Sequence, residues 1–196
     1  MVITIEDAAE AVLQLLWVRE AWALTPTGDL PPLLVDTPTA TGKRAPSEWN
    51  DEWPALWRRC VAHAAQEFDH DLFDAVTSSN LGSMERIALL GRLFGPSWDD
   101  RFGTEALTDG YRERSNRHRE GLHARSGRPL KTQPERMSLD ALVAAWHSGL
   151  ARVVEIPCHG TFTRTIGPHA LLVTSETRAD PGRYRAALAE FNPSSR

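Results

Sequence analysis

The sequence predicts an α+β fold, mainly helical, with five or six helices packed around a small C-terminal antiparallel sheet. Three observations predict it. Within residues 151–174, three short runs rich in β-branched and aromatic residues are separated by turn signals, Pro157 with Gly160 and then Gly167-Pro168. Upstream, apolar residues recur at three- and four-residue spacing along several stretches. Downstream, Asp180-Pro181 joins an N-cap carboxylate to a proline at the first helical position. The 196 residues fit a single globular domain, 1–196, with a Pro-rich extended segment at 25–47.

Taken in order, the first helix is expected from Thr4, with Asp7 three residues on in a capping-box-like position. Ala8, Val12, Leu15 and Leu16 make one stripe, and Leu13, Trp17 and Leu24 widen it. Apolar residues on most sides predict a central, heavily covered helix. Pro26 and Gly28 stop it. Pro26, Pro31, Pro32, Pro38 and Pro46 then exclude a helix and favour an extended arm, in which Leu33-Leu34-Val35 reads as an edge strand or tether.

Asn50 or Asp51 is expected to cap a second helix, with Pro54 in its first turn and a stripe of Trp53, Leu56, Trp57, Cys60, Val61, Ala64 and Phe68. Asp69-His70-Asp71 and the turn Ser78-Ser79-Asn80 follow. Ser83 caps a third helix through Ile87, Leu90, Leu93 and Phe94, which Gly95-Pro96 ends. A loop over 96–107 carries Trp98 and Phe102. A fourth helix spans Thr108 to Ser126, and Ser138 opens a fifth through Leu139, Leu142, Val143 and Trp146 to Gly149. The three β runs then read as a meander, since short connections favour antiparallel neighbours. The final helix carries Tyr184, Ala187, Leu188 and Phe191 and ends at Asn192-Pro193.

The net charge of −4 excludes a generally nucleic-acid-coating protein. The charge is uneven. Residues 1–80 hold five basic and thirteen acidic residues, and the remainder seventeen and thirteen. Two halves of opposite sign are expected to attract each other within one fold. Lysine is confined to Lys43 and Lys131, an arginine and alanine bias typical of a bacterial, high-GC coding sequence. Two cysteines form no disulfide framework, so reduced thiols in a cytoplasm are expected. The acidic N-terminus is unlike a signal peptide, and no apolar run approaches the ~20 residues of a membrane span.

Three constellations are candidates for function. The turn Pro157-Cys158-His159-Gly160, with His169 and His63, offers soft and borderline ligands for Zn. The ligand spacings of ordinary zinc motifs are absent, and a structural turn with a half-buried thiol is the plainer reading. The helix through 111–131 concentrates arginine, and Arg114, Arg117, His118 and Arg125 form a basic stripe whose forks suit anions. Pairing of that helix with the acidic half is favoured over nucleic-acid binding. Of the seven tryptophans, Trp49, Trp53 and Trp57 lie four apart, and Trp49 and Trp53, near the helix start, are candidates for a partner surface.

No nucleophile elbow, phosphate loop, dinucleotide fingerprint or paired-histidine metalloprotease motif occurs. The leading expectation is therefore a non-enzymatic binding or interaction protein, without a cofactor, recognising a protein or an anionic partner. The alternatives are a small metal- or cysteine-dependent hydrolase centred on the 157–160 turn, and a nucleic-acid-binding accessory protein using the Arg-rich helix 111–131. Self-association through the tryptophan or sheet surface is a further possibility, and no membrane partner is expected.

Overall fold

The computed structural model describes residues 2–7, 9–126 and 129–193, with side chains for all of these except 125, 126 and 130. The chain runs β1 (Thr4–Glu6), α1 (Glu10–Ala21), α2 (Ser47–Ala64), α3 (His70–Ser78), α4 (Met84–Phe94), α5 (Trp98–Phe102), α6 (Asp109–Ser126), α7 (Pro134–Met137) and α8 (Leu139–His147). It closes with β2 (Arg152–Ile156), β3 (Thr163–Thr165), β4 (Ala170–Thr174), α9 (Ser175–Ala179) and α10 (Pro181–Ala189). The class is α+β and mainly helical. There are more helices than expected because α3, α5, α7 and α9 are short pieces in stretches that read as loops, several closed by side-chain caps. Asp69 accepts from Leu72 N, Ser97 from Asp100 N and Thr174 from Thr177 N.

The sheet corrects the expected meander. Its order is β1-β2-β4-β3, with β1 parallel to β2, β2 parallel to β4, and β3 antiparallel to β4 at the edge. Residues 157–162 carry the chain past the position that β4 later fills. Every residue of β2 and β4 is buried. Such runs show no polar alternation because both faces are covered, the pattern of interior parallel strands. The expected helix start at Thr4 is also corrected: Thr4 pairs with Arg152 in β1, and α1 begins at Glu10 without a side-chain cap.

Two cores lie on opposite faces of the sheet. Val154, Ile156 and Leu172 pack with α1, α2, Trp98 and Tyr111. Val153, Leu171 and Val173 pack with Leu142, Ala145, Tyr184 and Leu188 of α8 and α10. Helix α1 is buried without a break from Val12 to Arg19, as its all-round apolar sequence predicts. The β2 layer is also tied to α9 by Arg178, which donates to Glu155 and Glu135.

Helix α2 starts at Ser47, earlier than Asn50 or Asp51, and Asn50 instead accepts from Thr25 N at 2.7 Å. Trp49 and Trp53 lie within the helix and point inward with Trp57. Trp53 is fully buried, donates to Leu15 O at 2.9 Å and stacks on Trp57. Trp49 is buried and meets Trp22 and Trp98 edge-on. Trp49 and Trp53 are therefore core, not a partner surface, because a four-residue aromatic repeat on one helix face is a packing stripe.

The two halves do meet through charge. Glu6 pairs with Arg152, Asp29 with Arg164, Asp36 with Arg117 and Glu52 with Arg101.

Candidate functional site

The Pro-rich arm is held against the end of α1 by two adjacent charged residues. Arg19, only 4% exposed, donates to Pro31 O and Pro32 O at 2.7 Å each, and its guanidinium lies over the Trp53 ring. Glu20 accepts from Arg19 and from Leu34 N. Leu34 is fully buried and forms a single antiparallel bridge with Cys158, the tether expected of Leu33-Leu34-Val35. Thr41 N donates to Ala21 O and brings the arm back across the helix end. A run of prolines leaves carbonyls without competing N–H groups, and a guanidinium fork satisfies them.

Helix α6 approaches from the other side. Its overall sequence is polar, but Tyr111 and Arg114 point inward at three-residue spacing. Tyr111 packs edge-on against Trp17 and donates to Glu10. His118, one turn on from Arg114, donates from Nε2 to Asp7 O at 2.8 Å.

Between the arm, α1 and α6 lies a cleft of about 440 Å³, within the ~300–1,000 Å³ range of small-molecule sites. Trp17 and Trp22 form its apolar wall, and Arg114, Arg117, Lys43 and Asp36 its charged groups. Trp22 is fixed by a hydrogen bond from Nε1 to Ala106 O at 3.1 Å. Arg117 pairs with Asp36 at 3.0 Å near the surface. Arg114 differs: it is 4% exposed, and among the described residues its Nε and Nη1 have no hydrogen-bond partner. Burial depresses its pKa, against the field of Asp36, Tyr111, Cys158 and Glu20. The guanidinium is thus almost out of water with two idle donors at the cleft.

Of the basic stripe, Arg114 and Arg117 line this cleft. His118 is taken up by Asp7 O, and the Arg125 side chain lies outside the described residues. Lys43, Trp17 and Trp22 were not legible as site residues. The arm's prolines mark it as extended but do not indicate which helix it meets.

The four proposed metal ligands do not gather. Parallel β2 and β4 place Cys158 and His159, after β2, at the sheet end opposite His169, before β4. His159 binds Glu176 at 3.0 Å, while His169 donates to Gly149 O and His63 to Leu93 O. Cys158 is fully buried, and burial raises its thiol to about 12, which withholds the thiolate that a nucleophile or ligand needs. Among the described residues no group of three His, Cys, Asp or Glu is placed to hold a metal ion. No described helix is long and apolar enough to cross a membrane.

Compared with known protein families, with curated proteins and with solved structures, the chain matches none.

Proposed function

We propose that the protein binds a small anionic ligand in the cleft between the Pro-rich arm, α1 and α6. The ligand would bring a carboxylate or phosphate to Arg114 and an apolar or planar part to Trp17 and Trp22. The observation that carries this reading is the buried Arg114 guanidinium with Nε and Nη1 unpartnered at the cleft. An oxygen anion would satisfy one of these donors directly; Nε and Nη1 lie on different edges of the guanidinium, so the two would take two separate acceptor oxygens. Lys43 and Arg117 add positive charge, and Asp36 and Glu113 favour ligands that also carry a hydroxyl or amine.

The reading is of a binding site, whose charged lining is Asp36, Lys43, Glu113, Arg114 and Arg117. Thermal unfolding and tryptophan fluorescence, with inorganic phosphate, nucleoside monophosphates and dicarboxylates as probes, test it. At least one class should raise Tm and change the Trp17/Trp22 emission, and Arg114→Gln should remove both responses. No response to any probe at 10-millimolar order, or an unchanged response in Arg114→Gln, would overturn it.

A further inference from the structure

Helix α4 is capped by Ser83, whose side chain accepts from Arg86 N, yet it contains no buried residue. One side of it rests on α3. Arg86 reaches back to Val76 O and to Ser79 O, closing the end of α3. The other side is apolar and open, with Met84 at 79%, Ile87 at 55% and Phe94 at 69% exposure, and Ala88 and Gly91 between them. These five residues recur at three- and four-residue spacing and so make one stripe, the pattern by which a helix seats on a neighbour.

Gly91 has no reason for being glycine within one chain. It sits inside the helix, where glycine weakens helical structure relative to alanine, and a Cβ there would meet nothing within 4 Å. A small residue in an exposed apolar stripe is explained if another helix comes close at that point.

We propose that this stripe is a homodimer interface, with α4 of one copy packed antiparallel on α4 of a second about a two-fold axis level with Ala88 and Leu89. The sequence is self-complementary about that point. Met84 falls opposite Phe94 of the second copy, and Ile87 opposite Gly91, a branched side chain over a vacant Cβ position. Glu85 and Arg92 are both exposed, stand two turns apart and lie on the same flank of the stripe. A two-fold perpendicular to the helix axes keeps flanks together, so Glu85 of each copy meets Arg92 of the other. A parallel pair would put the Glu85 residues of the two copies on opposite flanks, each away from Arg92 of the other copy. A single helix pair is a small interface, so a dimer in exchange at roughly 10–100 µM is expected.

Sedimentation equilibrium of the full chain across that range tests it, with helical content and Tm recorded for each variant. The mass should rise from 21.8 kDa towards twice that value. Glu85→Arg and Arg92→Glu should each weaken the dimer about tenfold or more, and the double variant should restore it to within about threefold. Gly91→Leu should raise the monomer's Tm, because leucine is the better helix former, and still weaken the dimer. A chain that stays monomeric throughout would overturn the proposal. So would a dimer that ignores Gly91→Leu, or single charge reversals that the double variant does not rescue.

Discussion

Replacing Arg114 with methionine should make the unliganded protein more stable while ending its anion binding. In the free protein the guanidinium is 4% exposed with Nε and Nη1 idle. A buried unsatisfied donor costs about 1–3 kcal/mol, and more when charged. The negative field of Asp36 and Glu20 offsets part of that cost. Exchanging a buried ion for an apolar side chain of similar volume is often stabilising by about 1–4 kcal/mol. Allowing for the offset, a net gain of roughly 1–2 kcal/mol is expected, a Tm rise of about 2–8 °C for a chain of this size. Urea unfolding of the unliganded Arg114→Met variant measures the gain directly, and the same samples with the best-binding anion measure the lost response. The reasoning fails if the variant is less stable than the parent by more than about 1 kcal/mol. Arg114 would then be a structural partner of Asp36 and Glu20, not a donor awaiting a ligand.

Three further outcomes are expected. Arg19→Ala strips Pro31 O and Pro32 O of their donor and leaves Glu20 with an uncompensated charge, so a loss of about 3–5 kcal/mol and faster proteolysis within 36–43 should follow; an unchanged cleavage pattern would count against the clamp. Gly95→Ala places a Cβ 2.3 Å from the His63 ring at a φ of +71°, and should destabilise by about 1–3 kcal/mol, seen as a lower urea midpoint. The third concerns alkali. Burial holds Cys60 and Cys158 at about 12, above the ordinary thiol value of 9.0. Their contribution is complete below pH 9 and declines as pH rises from 9 to 12, by up to about 1.4 kcal/mol per pH unit for each thiol. Tyr111 and Tyr184, also raised by burial, add in the same direction. Urea midpoints that stay flat between pH 8.5 and 11 would refute this.

The helices were legible where pattern and cap agree. Ser83, Gly95 and Asp180 stand where α4 and α10 begin and end, and the all-round apolar α1 is central. Short connections favour antiparallel neighbours, yet the chain leaves β2, passes the place of β4 and returns through edge strand β3, so β2 and β4 pair in parallel. The better signal lies in β2 and β4 themselves: Val153-Val154 and Leu171-Leu172-Val173, like strands covered on both faces, lack the alternation of the stretch 161–166, where Phe162, Arg164 and Ile166 alternate with threonines. Strand β1 was hidden, since three residues at an edge carry almost no periodicity. At the site, Arg114 and Arg117 could be picked from the arginine run by helical spacing. Which arginine is buried could not, because that depends on the arm folding back over α1, a long-range contact without a local trace. Trp49 and Trp53 lie on the face of Trp57, and their position in the first turns of α2 does not expose them, because Trp22, Trp98 and Leu15 cover that end.

The parallel pairing of β1 with β2 also has a consequence for synthesis. Glu6 and Arg152 are 146 residues apart, and the first leaves the ribosome long before the second exists. Until then α1, apolar on most sides, has no sheet face to cover it. The helices that follow can shield only part of it, so the nascent chain carries exposed apolar surface until β2 and β4 emerge. The core that joins α1 to β2 and β4 can therefore close only once residues 152–174 have emerged.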